Sequence, residues 1–293
     1  MISSLLSLYI ASSIQPNLSA EINESELQSI SVSAVNEEKK TIKKNEFVSP
    51  VIYAEGVIAM DLNSDTILFE KNLHEKRAIA SITKLMTALI ILEENNIYDI
   101  VTISQNAANI EGSQMYLRAG EKITIENLIY GIMIQSANDA AYALAEYNAG
   151  SVSAFVEKMN KKASILGLIN TNFANPAGLD NPHNYSTPFD IAKLAKTVYQ
   201  KPLIQVAANT KEMQVNSVKG GLQHKLTNTN KLLDSYLHIK GLKTGKTNSA
   251  GLCLVAIGEN NGNNIITVVL NSPDRFKESK ILIDWVFRAY NWI

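Results

Sequence analysis

The sequence predicts an α/β (α+β) fold: one antiparallel sheet built from the two ends of the chain, flanked by helices, with an all-helical insertion between them. Three observations predict it. Strand-like runs sit near the start (residues 56–62 and 66–70) and near the end (242–247, 251–258 and 265–271). Helical spacing fills the middle, from about residue 95 to 210. A closing amphipathic stretch, 275–292, carries Ile281, Trp285 and Ala289 at helical spacing.

Each element has a local reason. Residues 2–14 are apolar and serine-rich but too short to span a bilayer. They read as the core of a secretory signal, with Leu18-Ser19-Ala20 as an imperfect cleavage site, rather than as a disordered tail. Against the signal, the first basic residue is Lys39. Residues 21–50 are polar and charged, a flexible linker, and order is expected from Val51. Asn63-Ser64-Asp65 turns the first hairpin. A helix then runs from Ser81 to about Glu94. Ser104 and Thr124 stand where helix caps belong, and residues 128–134 form an apolar run that delivers Ser136. Residues 137–147 and 152–166 continue as helices; 175–188, rich in Pro, Gly, Asn and His, is a long loop. Thr187-Pro188 opens another helix to Tyr199. After Lys201-Pro202 the pattern becomes strand-like at 212–218, with a turn at Gly220-Gly221.

The 293 residues are 46% hydrophobic and 19% charged, enough for one good core or two modest ones. A net charge of −1 gives no reason to expect nucleic acid or an acidic membrane surface as partner. The single cysteine, Cys253, lies in an apolar run and reads as a buried small hydrophobe. The four histidines are scattered, so no metal and no other cofactor is expected.

Three short motifs carry chemistry. Ser81-Ile82-Thr83-Lys84 puts a hydroxyl and an amine one helical turn apart at the edge of an apolar run. That pairing suits a nucleophile and its base. To accept a proton at pH 7, Lys84 must titrate below its usual value of about 10.4, and burial with a second cation, Lys243, would lower it. Ser136-Ala137-Asn138 interrupts an apolar stretch, where unpartnered polar groups are costly. Lys243-Thr244-Gly245 lies on a predicted strand: Gly245 permits close backbone approach, and Lys243 and Thr244 offer a cation and a hydroxyl to a carboxylate. Each motif is weak alone; Ser104-Gln105-Asn106 also fits the second pattern, but at a helix cap. Together, in this order, they point to a serine acyl-transfer site in the crevice between sheet and helices.

With these motifs the chain resembles the low-molecular-weight penicillin-binding proteins, the serine-type D-alanyl-D-alanine carboxypeptidases. The likeness extends over residues 50–292, through Gly56-Val57-Ile58-Ala59-Met60-Asp61, Ser113-Gln114-Met115-Tyr116-Leu117 and Tyr185-Ser186-Thr187. It implies the β-lactamase/DD-peptidase (transpeptidase-like) fold and removal of the terminal D-Ala from peptidoglycan stem peptides, with β-lactam antibiotics as covalent inhibitors. By resemblance, Ser81 is the nucleophile, Lys84 its base, and Ser136 the relay to the leaving amine. Asn138 would hold the substrate amide, Lys243 and Thr244 its carboxylate, with Arg275 in support. Gly245 would admit the peptide, and the backbone N–H groups of Ser81 and Lys246 would form the oxyanion hole. The implied location is extracytoplasmic, periplasm or cell envelope, after export by the N-terminal signal.

Two departures shape the expectation. Lys246 stands where many relatives carry histidine or an aromatic residue. The chain stops after its closing helix, so no C-terminal β-domain or membrane anchor is expected; the oligomeric state stays open. Three alternatives remain: a DD-endopeptidase cutting cross-links, a β-lactamase on the same fold, and a binding protein with a decayed site. A class A β-lactamase needs a glutamate in the loop before the third motif, and residues 175–188 contain none. The three intact motifs argue against decay.

Overall fold

A computed structural model describes residues 41–44, 46–235 and 237–293. The expected secretory signal and residues 21–40 of the expected linker lie outside them. Ordered structure starts earlier than Val51. Strand β1 (Thr41–Lys43) pairs antiparallel with Tyr290–Trp292, and Val48 accepts a hydrogen bond from Trp285 Nε1. Composition hid this strand, because what holds it is the far end of the chain.

The first hairpin is as expected: β2 (Gly56–Asp61) and β3 (Ile67–Lys71). Asp61 Oδ1 receives Asn63 N–H, Ser64 N–H and Ser64 Oγ–H, which fixes the turn. β4 (Arg77–Ala78) follows, then a tight 3₁₀ turn at Ala80–Thr83 and helix α1 (Lys84–Glu94). The middle region is mostly helical: α2 (Gln105–Ala108), α3 (Ile125–Tyr130), α4 (Asn138–Ala149), α5 (Val152–Ile165) and α6 (Pro188–Tyr199). Ser104, Thr124 and Thr187 cap α2, α3 and α6 through their hydroxyls.

One feature corrects the sequence reading here. The insertion is not all-helical, for β5 (Ile100–Thr102) pairs with β6 (Lys122–Thr124), and β7 (Tyr185–Ser186) pairs back to β4. Pro202–Asn209 forms helix α7, within the expected helical stretch. Pro202 sits at its first position, where a missing N–H costs nothing, and Ile204, Ala207 and Ala208 bury one face. Strand follows only afterwards, as β8 (Glu212–Asn216) and β9 (Gln223–Thr227).

Strands β10 (Ile239–Thr247), β11 (Gly251–Asn260) and β12 (Asn263–Ser272) complete a five-stranded antiparallel sheet in the order β10-β11-β12-β2-β3. Both chain ends build it. Its two faces are buried, as the near-continuous apolar runs require. Ile58, Val255 and Val268 face the helical region; Val57, Ala256 and Val269 face the closing helix α8 (Arg275–Ala289). Helix α8 ends at Ala289, where β13 (Tyr290–Trp292) leaves to pair with β1. Its buried stripe is Leu282, Ile283, Trp285, Val286 and Ala289; Ile281, expected on that stripe, is partly exposed. β10 is an edge strand, and the Ala80–Thr83 turn packs against it.

Candidate active site

Ser81 lies in the 3₁₀ turn, half-buried, with Lys84 opening α1 one turn later. Ala80, just before it, has φ 48°, a strained value for alanine. Two glycines hold that strain. A Cβ on Gly178 would stand 1.9 Å from the Ala80 carbonyl oxygen, and one on Gly245 would stand 3.1 Å from Ala80 Cβ and 3.3 Å from Ser81 N. The Ser81 turn is clamped between a loop on one side and strand β10 on the other.

Lys84 Nζ is fully buried and has three partners: Ser81 Oγ at 2.9 Å, Asn138 Oδ1 at 2.7 Å and the Ala177 carbonyl at 2.7 Å. Two of these only accept. They take two N–H bonds whatever the charge of the amine. The third position faces a hydroxyl, which can accept or donate. A charged Lys84 therefore donates to Ser81, and a neutral Lys84 receives the Ser81 proton on its lone pair, with no atom moved. Burial, and after it the charge of Lys243, holds the Lys84 amine well below the ordinary lysine range, while Asp139 pulls the other way.

The second motif arrives on a distorted helix. α3 passes into a π turn, Gly131–Gln135, which ends at Ser136 in the left-handed conformation (φ 62°). Ser136 is buried, yet its hydroxyl is not hydrogen-bonded to Ser81, Lys84 or Lys243 in this arrangement. Asn138 then opens α4. Its Oδ1 meets Lys84, its Nδ2 donates to the Glu111 carbonyl at 2.6 Å, and its backbone N–H donates to the Ser113 carbonyl at 2.6 Å.

The third motif lies on β10. Lys243 is buried, and burial, followed by the charge of Arg275, lowers its ammonium to about 7. Thr244 Oγ1 is 2.6 Å from Thr229 Oγ1. Gly245 faces the Ser81 turn, so the backbone it admits most closely is the protein's own. Lys246 is exposed. Arg275 Nη1 donates to the Gly245 carbonyl at 2.5 Å, which ties α8 to the strand. The structure thus gathers Ser81, Lys84 and Asn138 by direct hydrogen bonds, and Gly245 with Arg275 beside them. Charge links Lys243 to Lys84.

Comparison with known proteins decides the family. Residues 41–274 match the peptidase family described as D-alanyl-D-alanine carboxypeptidase. The chain belongs to that family. DacF of Bacillus subtilis, named a D-alanyl-D-alanine carboxypeptidase, is 36% identical over 247 residues, covering 81% of this chain and 63% of the relative. DacC of Escherichia coli, so named as well, is 36% identical over 261 residues, 84% and 64% of the two chains. The chain thus spans less than two thirds of the length of these curated relatives. The crystal structure of the Streptomyces K15 DD-transpeptidase superposes with a TM-score of 0.79 at 34% identity, over 83% of this chain and all of that one. The fold is therefore that of the DD-peptidases and β-lactamases.

Several residues that build this DD-peptidase-like site carry no sequence motif of their own. Ala177 contributes only a carbonyl. Asn175 Oδ1 gathers the N–H groups of Ala177, Gly178 and Leu179 at 3.2, 2.7 and 3.0 Å and so aims that carbonyl at Lys84. Asn-Pro-Ala-Gly is a turn signature, and an Asn oxygen capping the N–H groups after it was the available clue. Thr87 Oγ1 anchors the same loop through the Pro176 carbonyl at 2.7 Å. Asp139, next to Asn138, receives Met115 N–H and Leu117 N–H at 3.1 and 3.0 Å.

Proposed function

We propose that the protein is a serine-type D-Ala-D-Ala carboxypeptidase that removes the terminal D-Ala from peptidoglycan stem peptides through an acyl-enzyme, and that penicillins acylate the same serine. The observation that carries this reading is the bonding at Lys84: a buried amine, held below its usual pKa, with its third position on the Ser81 hydroxyl.

The steps follow from that geometry. Ser81 Oγ attacks the carbonyl of the penultimate D-Ala while its proton passes to Lys84 Nζ. The oxyanion is met by the N–H groups of Ser81 and Lys246. The proton then moves to the leaving amine through Ser136, the C–N bond breaks, and D-Ala departs. Water hydrolyses the Ser81 ester by the reverse relay. Lys243, Thr244 and Arg275 hold the terminal carboxylate, and Gly245 keeps the strand close to the nucleophile. Asn138 keeps one donor and one acceptor position free after meeting Lys84 and Glu111, which suits a substrate amide. The edge of β10 supplies backbone groups for an extended peptide.

Such peptides lie outside the cytoplasm, so the protein is assigned to the periplasm or cell envelope, exported by its N-terminal segment. Among the described residues no helix is long and apolar enough to cross a membrane. The test uses fluorescent penicillin on the protein and its Ser81→Ala variant, then uncross-linked and cross-linked muropeptides. Stable labelling that needs Ser81, with D-Ala released from pentapeptides, supports the reading. Cleavage confined to cross-links would make it an endopeptidase; rapid penicillin turnover would make it a β-lactamase; no label on folded protein would end it.

A further inference from the structure

Away from Ser81 and Lys84 lies a buried pair of titratable side chains that the mechanism leaves unused. His224 on β9 has Nε2 2.7 Å from Glu121 Oε1 and Nδ1 2.8 Å from the Met115 carbonyl. A carbonyl only accepts, so Nδ1 carries a proton. Glu121 Oε2 accepts the Arg118 N–H at 3.0 Å, so the carboxyl is fixed from its other side. The imidazole is a strut between a fixed carboxyl and one backbone carbonyl.

That carbonyl belongs to a strained segment. Tyr116, next in the chain, has φ 63°, an outlier for a bulky side chain. Its flanks are held from both directions: Asp139 takes the N–H groups of Met115 and Leu117, and His224 takes the Met115 carbonyl. Such a conformation persists only when its surroundings over-determine it. The same segment supplies the carbonyls of Glu111 and Ser113 that fix Asn138, and Asn138 orients Lys84.

We infer that His224, braced by Glu121, is a positioning residue for acylation: its bond to the Met115 carbonyl holds residues 111–117 in the conformation that sets Asn138 against Lys84. The inference rests on the proposed role of Lys84, and the test separates the two. In His224→Asn the amide N–H stands where Nδ1–H stood and keeps the Met115 bond. In His224→Gln the amide reaches toward Glu121 and gives up Met115. The rate of acylation by fluorescent penicillin and the melting temperature are measured for both.

The expected result is a loss of less than about threefold for His224→Asn, because the bond it drops is to Glu121 and not to residues 111–117. His224→Gln loses about 10- to 10²-fold, since misplacement by an ångström has that effect, with both variants melting alike. Glu121→Gln, which can still donate to Nε2 and leave Nδ1–H on Met115, also stays within about threefold. Equal losses in Asn and Gln, full activity in Gln, or a loss in Glu121→Gln as large as in His224→Gln would overturn the inference. If the unmodified protein takes no label, the reading of Lys84 fails instead.

Discussion

Gly245 and Ser81 approach so closely that a single methyl on the glycine would stand 3.3 Å from the Ser81 nitrogen and 3.0 Å from the Ile79 carbonyl oxygen. Both neighbours are backbone and have little room to yield. Gly245→Val is expected to push β10 away from the Ser81 turn. The N–H groups of Ser81 and Lys246 then separate, and penicillin acylation slows by about 10²-fold, the scale of losing one oxyanion donor. Stopped-flow acylation alongside a melting curve checks it; acylation at the parent rate would show that the contact is not needed.

Lys84 is expected to be irreplaceable by a residue that cannot take up a proton. Lys84→Met should lower the acylation rate by about 10³-fold or more, within the range of a lost general base together with a disordered nucleophile. Labelling at half the parent rate in the folded variant would remove Lys84 from the mechanism.

The buried Lys243 ammonium sets a pH limit. Burial and the Arg275 charge bring it down to about 7, so the free protein loses this cation as pH rises through that value. For a substrate ending in a carboxylate, kcat/KM should fall on the alkaline side; the matching C-terminal amide should not show that limb. Arg275→Gln removes a repelling cation, favours the charged lysine and moves the limb to higher pH. A limb that stays put or moves down contradicts this assignment.

The same lysine couples folding to pH. Its folded value lies below the unfolded value of about 10.4, so between about pH 7 and that value the unfolded chain binds more protons. Its contribution to stability is complete above the unfolded value and is lost as pH falls toward 7. Lys243→Met should flatten the rise of melting temperature with pH across this window. An unchanged slope would mean that the group titrates normally.

Gly178→Ala tests the loop that aims Ala177. The added Cβ would meet the Ala80 carbonyl at 1.9 Å, at a position with φ +81°. Loss of about 3 kcal/mol or more in denaturant unfolding is expected, the scale of a clash joined to backbone strain. A variant as stable as the parent would show that this loop can withdraw.

How much of this was legible beforehand differs between its parts. Runs with strand or helix period announced β2, β3, β11, β12, α4, α5 and α6, because the buried face of each is written in its own side chains. The caps Ser104, Thr124 and Thr187 were legible for the same reason. β1 was hidden entirely: Thr41, Ile42 and Lys43 become a strand only because Tyr290–Trp292 returns beside them.

By itself the sequence determined which residues can do chemistry: a hydroxyl and an amine one turn apart at Ser81 and Lys84, and a cation, a hydroxyl and a bare backbone position at 243–245. Those choices are local, fixed by side-chain type and spacing. Only the tertiary structure decided that Lys84 is buried, that Ala177 and Asn138 occupy two of its three positions, and that Lys243 is near enough to lower its pKa. Burial and charge proximity depend on which distant segments meet, and no window of sequence contains that information.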